Sequence, residues 1–90
     1  MAVKSSGNVF ADLGFNAEEA TNLKLRSQLM IEVEKSLAEK HLTQQAAAKA
    51  LGITQPRVSD LLRGKVEKFT VDALVNILTK LGHKVTMRIA

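Results

Sequence analysis

The 90-residue chain contains no cysteine, tryptophan or tyrosine. Without cysteine there are no disulfides, thiolate metal ligands or cysteine nucleophile, a composition compatible with a reducing cytoplasm. The only aromatic residues are three phenylalanines, too few stacking platforms to favour single-stranded nucleic acid as a ligand. No apolar run approaches the roughly 18 residues of a membrane span, and the N-terminus lacks the apolar region of a signal peptide. We therefore expect a cytoplasmic protein with no membrane partner.

Positive charge is concentrated in the second half of the chain. Residues 1–40 contain five Lys/Arg and six Asp/Glu, whereas residues 41–90 contain eight Lys/Arg and three Asp/Glu. A basic half indicates a polyanionic partner, most simply nucleic acid. The alternative is a basic surface that is only solvated.

Capping residues divide the chain into four predicted helices. Asn16 and Glu19 have the spacing of a capping box and predict a long helix from Ala17 to Lys40. Threonines precede three shorter helices, over residues 44–51, 55–63 and 71–81, and each threonine is a good N-cap. These threonines are Thr43, Thr54 and Thr70. The glycines that close the same segments are Gly52, Gly64 and Gly82, as the left-handed position after a helix favours.

The apolar residues of the long helix form more than one stripe. Leu23, Met30, Val33 and Leu37 recur at helical spacing and predict a buried face. Leu25, Leu29 and Ile31 lie partly off this face. We interpret them as a wider core face, the alternative being a contact surface for a partner chain. Near the last short helix, Phe69 and Leu74 have the spacing of a hydrophobic staple.

The C-terminal segment changes period. Val85, Met87 and Ile89 alternate with polar residues, which predicts a β-strand. A lone strand needs a partner for its backbone groups, and the only other candidate is the stretch around Val9. We expect antiparallel pairing with the same strand of a second copy, so that Val85, Met87 and Ile89 form a homodimer interface. The predicted organisation is a partly mobile extension over 1–15, a helical domain over 16–82 and a dimerisation strand over 83–90.

Two of the predicted helices, 44–51 and 55–63, have the length and spacing of a helix-turn-helix. Gly52 allows a sharp turn between them, and Ala48 is small where the helices cross. The second helix presents polar residues outward, and such a helix fits the DNA major groove with its N-terminal residues at the base edges. The sequence therefore predicts double-stranded DNA as the partner.

The stretch LTQQAAAKALGITQPRVSDLLRGK resembles the helix-turn-helix of the Xre/Cro family of phage repressors and bacterial regulators. The resemblance implies an all-α, lambda-repressor-like bundle of about four helices and a repressor that binds a palindromic operator as a dimer. The residues that it implies for base contacts are Gln55, Pro56, Arg57 and Asp60. The residues that it implies for phosphate contacts are Gln44, Thr54, Ser59, Arg63 and Lys65.

Two positions depart from the family pattern. Pro56 stands where a polar residue is common and offers only an apolar contact. Asp60 is acidic where an outward Gln or Arg is common. A carboxylate there repels phosphate but can accept a hydrogen bond from a cytosine amino group.

The whole chain is similar to a narrower branch, the HigA-like antitoxins. The similarity lies in the opening GNVFADLGF, in NLKLRSQLMIEV of the long helix and in the closing HKVTMRIA. It implies autoregulation and a RelE-like ribonuclease toxin as a partner. The alternative function is a protein-interaction adaptor or toxin-sequestering protein with little DNA binding of its own.

Enzymatic chemistry has no support in the sequence. His41 and His83 each stand alone, without the second histidine or flanking carboxylates of a zinc-binding helix. No Ser–His–Asp order or phosphate-binding glycine loop is present. We expect no enzyme activity, no metal and no cofactor.

Overall fold

The computed structural model describes residues 8–90, and every regular element in that range is helical. The elements are α1 (Val9–Asp12), α2 (Ala17–Glu39), α3 (Gln44–Leu51), α4 (Gln55–Leu62), a 3-10 turn (Val66–Lys68) and α5 (Val71–Lys80). The all-α fold class is therefore confirmed. Among these helices none is both long and apolar enough to cross a membrane.

The N-caps of the helices are the residues that the sequence predicts. Asn16 Oδ1 accepts a hydrogen bond from the backbone N–H of Glu19 at the start of α2. The threonine hydroxyls before α3, α4 and α5 accept backbone hydrogen bonds three residues on, at 3.1, 3.4 and 3.1 Å. These bonds satisfy donors that a helix N-terminus otherwise leaves free. The C-termini of α2, α4 and α5 each fall one residue before the predicted end.

Helix α1 is a feature that the sequence pattern does not predict. The stretch around Val9, considered above as a strand, is instead a single helical turn. Asn8 explains it: Oδ1 caps the backbone N–H groups of Phe10 and Ala11, and Nδ2 donates to the Ala20 carbonyl of α2 at 2.9 Å. This contact fixes the turn against α2. Residues 1–7 of the predicted mobile extension lie outside the described residues.

The core lies where α2, α3, α4 and α5 converge. Its largest fully buried side chains are Phe69, Met30, Leu51, Leu61, Leu74, Val33 and Val58. Burying apolar side chains of this size contributes roughly 1.5–3 kcal/mol each relative to leaving them in water. The interpretation of a wider core face on α2 is right for Leu29, which packs on the core, and wrong for Leu25 and Ile31, which are 42% and 47% exposed.

The C-terminal segment, residues 83–90, is neither helix nor strand in the single chain. It leaves α5 through Gly82, whose φ is 90°, and His83 N–H returns a hydrogen bond to the Leu78 carbonyl. The His83 ring contacts the buried Ser36 hydroxyl at 3.0 Å, which ties the start of the segment to α2. Beyond that point Met87 and Ile89 are 82% and 81% exposed.

Candidate nucleic-acid interface

The α3–α4 pair has the geometry of a helix-turn-helix. Gly52 ends α3 with φ 67° and ψ 31°, a left-handed backbone conformation that residues other than glycine rarely adopt. Ile53 N–H then donates to the Ala48 carbonyl at 3.0 Å, so the chain turns at once towards α4. Lys80 of α5 donates its ammonium to the Leu51 carbonyl at 2.9 Å. A cation thus satisfies a carbonyl at the end of α3, where helix dipole effects also favour positive charge.

Buried residues fix the angle between the two helices. On α3 the side facing α4 carries small residues, Ala47 and Ala48, which are 2% and 7% exposed. On α4 the inner residues are Val58 and Leu61, both 0% exposed. Because the inner side of α4 is buried in the core, the polar residues of α4 lie on the opposite side of the helix.

The first turn of α4 is open to solvent. Thr54, Gln55 and Pro56 are all exposed. The missing N–H of Pro56 costs little here, because the N–H groups in the first turn of a helix have no carbonyl partner within the helix. Gln55 and Pro56, two of the predicted base-contacting residues, are therefore accessible to a groove.

Arg57 is directed back towards the protein. Its guanidinium lies 3.9 Å from the centre of the Phe69 ring and donates a hydrogen bond to the Lys68 carbonyl at 2.8 Å. Stacking on an aromatic face and a charge-assisted hydrogen bond both favour this rotamer. Arg57 consequently links α4 to the segment that leads into α5.

The carboxylate of Asp60 likewise has charged partners within the chain. Its carboxylate oxygens lie 4.0 Å from the Lys65 ammonium and 3.8 Å from the Lys68 ammonium. The side chain of Asp60 is 18% exposed, against 33% for Lys65 and 49% for Lys68. The carboxylate is thus partly covered, while the two ammonium groups retain more contact with solvent.

The predicted phosphate-contacting residues lie on both helices and the following turn. Gln44, Thr54 and Arg63 are exposed, at the starts of α3 and α4 and just after α4. Ser59 and Lys65 are half-buried. Gln44 and Thr54 thus lie at helix N-termini, where free backbone N–H groups favour phosphate, whereas Arg63 lies at the C-terminal end of α4 and offers only its side chain.

Two residues of this region, Phe69 and Arg26, were not predicted as part of the interface. Lys68 and Phe69 provide the partners of Arg57, and the staple spacing indicated only that Phe69 is buried. Arg26 of α2 donates from one nitrogen to the carbonyls of Val66 and Phe69, both at 3.2 Å. No local sequence pattern signals that contact, because the partners lie 40 and 43 residues away.

Known proteins share this architecture. A family model described as "Helix-turn-helix domain" matches residues 9–90. A solved structure named "Putative XRE Family Transcriptional Regulator" is 33% identical, covers 80% of this chain and 81% of its own, and superposes with a TM-score of 0.76. A search of curated proteins finds no match.

The chain therefore belongs to this helix-turn-helix family, whose motif is a DNA-binding module. Within that class it is an Xre-type helix-turn-helix protein, which confirms the broader of the two resemblances noted in the sequence.

Proposed function

We propose that this protein is a sequence-specific DNA-binding transcriptional regulator that inserts α4 into the major groove. The observation that carries the proposal is the solvent-exposed first turn of α4. This turn follows the left-handed Gly52, and the opposite side of α4 is apolar and buried in the core. The family match and the similarity to a solved Xre-family regulator support the same function.

Contacts in this arrangement divide by position along α4. Gln55 and Pro56 meet the base edges, Gln55 through its amide and Pro56 through an apolar contact. The phosphates on either side are held by Gln44, Thr54, Ser59, Arg63 and Lys65. Arg57 and Asp60 share the outer side of α4, but their charged groups are turned towards the segment after the helix.

A titration with duplex DNA at two salt concentrations tests the proposal. Neutralised phosphates release counterions, so log K should fall linearly with log salt, by about 0.9 per phosphate contact. A library of randomised duplexes should also yield an enriched sequence. Absence of binding, or binding that is independent of salt, would contradict the function.

The proposal includes a homodimer that acts as a repressor on a palindromic operator. Two copies would present their α4 helices to half-sites about 34 Å apart, one DNA turn. The supporting observation is the C-terminal segment, where Val85, Met87 and Ile89 are 38%, 82% and 81% exposed. Antiparallel pairing of this segment across a two-fold axis would satisfy its backbone and cover these side chains.

The antitoxin role is the narrowest part of the proposal. An apolar surface at the N-terminal end favours a protein partner: Val9 and Leu13, on one side of α1, are 58% and 69% exposed, and the nearby Phe15 is 42% exposed. A RelE-like ribonuclease is the partner that the resemblance implies. Co-purification of such a toxin with the full chain, and its loss on changing Val9 and Leu13 to Ser, tests this role. The rival adaptor function predicts the same capture but no DNA binding.

A further inference from the structure

The segment Lys65–Phe69, here called the lysine arm, is attached to α4 by two side chains of that helix. Arg57 contacts the Lys68 carbonyl and the Phe69 ring, and Asp60 pairs with the ammonium groups of Lys65 and Lys68. Positions 57 and 60 are one helical turn apart, so both side chains reach the same side of α4. From the opposite direction, Arg26 of α2 donates to the carbonyls of Val66 and Phe69. The lysine arm is thus held between two helices.

The rotamer of Arg57 does not suit base reading. An arginine reads guanine by directing two N–H groups of its planar fork at one base edge. Here one nitrogen of the fork is directed at the Lys68 carbonyl at 2.8 Å, and the plane lies over Phe69. Reading a guanine would require the side chain to give up both contacts.

The surroundings of Asp60 do not suit base reading either. A carboxylate that accepts from cytosine has to face the groove, whereas that of Asp60 lies between two ammonium groups and is largely covered. At 4.0 and 3.8 Å the two contacts are ion pairs and not hydrogen bonds, so the three donors of each ammonium are not used by Asp60. Around the end of α4, the two carboxylates of Asp60 and Glu67 stand against four cationic side chains, which are those of Arg57, Arg63, Lys65 and Lys68. The region therefore keeps net positive charge, and the DNA backbone runs beside it when α4 lies in the groove.

We infer that Arg57 and Asp60 are positioning residues, which hold Lys65 and Lys68 in place as a binding site for a backbone phosphate of duplex DNA. This rests on the proposed function, and it assigns base contacts to Gln55 and Pro56 rather than to the two charged residues. Ion pairs whose ammonium groups remain open to solvent add little to folding stability, so the effect of Asp60 lies in where it places the lysines.

The experiment compares Arg57→Lys, Asp60→Asn and Lys68→Ala in the full chain. The probe is the duplex that wild-type protein enriches from a randomised library, together with its single-base-pair variants. Arg57→Lys keeps the charge but loses the planar fork, and Asp60→Asn keeps the shape but loses the charge. Lys35→Ala is the matched control, since Lys35 is also paired, with Glu32 at 3.7 Å, but belongs to α2 and has no pairing with α4 or the lysine arm.

The expected result has two parts. Arg57→Lys weakens binding by a similar factor on every duplex variant, and neither it nor Asp60→Asn changes the base-pair preference. Lys68→Ala lowers the salt slope by about 0.9 in the wild-type background. In the Asp60→Asn background the loss of affinity from Lys68→Ala is smaller by at least about twofold, because the two residues act as one network. Lys35→Ala changes neither quantity.

Other results would overturn the inference. If Arg57→Lys or Asp60→Asn relaxes the preference at one base pair only, that residue reads a base. If Lys68→Ala costs the same affinity in both backgrounds, Asp60 does not position it. Equal Tm values for the variants and wild type show that each is folded. If wild-type protein enriches no duplex, the proposed sequence-specific DNA binding is itself refuted. This outcome differs from the two above, which refute only the positioning roles of Arg57 and Asp60.

Discussion

The outer surface of α4 and the C-terminal segment 83–90 differ in whether their side chains find partners within one chain. The charged groups of Arg57 and Asp60 on α4 both have partners in the lysine arm. In the C-terminal segment the apolar side chains of Met87 and Ile89 lie in solvent. The comparison shows that the outer surface of α4 is organised by contacts within the chain, whereas Met87 and Ile89 find no cover within it.

The largest expected effect concerns the C-terminal segment. If the proposed dimer forms through this segment, changing both Met87 and Ile89 to Lys should make the protein monomeric, because two apolar contacts per chain are replaced by like charges. Sedimentation velocity measures the change, and a chain that ends at Gly82 should behave in the same way. Arg88→Ala, on the alternate side of the segment, is the control and should remain dimeric. A dimer that persists in the double variant would move the interface to α2.

The next largest effect is a loss of stability in the helix-turn-helix. Leu61→Ala should lower the free energy of unfolding by about 2–5 kcal/mol, since Leu61 is 0% exposed in the core. The neighbouring Leu62 is 42% exposed, and Leu62→Ala should change stability by about 0.5 kcal/mol or less. Urea unfolding measures both. Equal losses at the two positions would contradict the orientation of α4.

A smaller effect is expected at the turn between α3 and α4. Gly52→Ala should cost about 1–2 kcal/mol, because φ is 67° and a Cβ disfavours the left-handed conformation. Space is not the cause: an added Cβ would lie 3.5 Å from the Lys80 ammonium, an ordinary contact. Gly52→Asn should recover part of the loss, since Asn tolerates this conformation better. If Ala and Asn destabilise equally, backbone strain is not the reason for glycine here.

The sequence predicts the helices well because their signals are local. The N-caps at Thr43, Thr54 and Thr70 act on residues three positions away, and the left-handed Gly52 acts on its own backbone. Apolar spacing likewise identifies the inner residues of α4, because a helix repeats its faces regularly. These features need no knowledge of the rest of the fold.

What the sequence does not predict depends on contacts between distant residues. Helix α1 is fixed by Asn8 donating to Ala20, and the rotamer of Arg57 is set by the position of Phe69. Periodicity shows that Arg57 and Asp60 lie outward on α4, but the direction of a long side chain depends on its neighbours in space. No observation tests the predicted base contacts of these two residues, and we propose a positioning role for them instead.

The double attachment of the lysine arm has a consequence for protein engineering. Arg26 of α2 and Arg57 of α4 both donate hydrogen bonds to carbonyls of this short segment. The Nε of Arg26 is buried without a hydrogen-bond partner among the described residues. The outer surface of α4 therefore depends on residues outside the helix-turn-helix. If residues 54–63 were grafted onto another scaffold, Arg57 would lose its contacts with the Phe69 ring and the Lys68 carbonyl. A functional graft therefore has to include the lysine arm and Arg26 of α2.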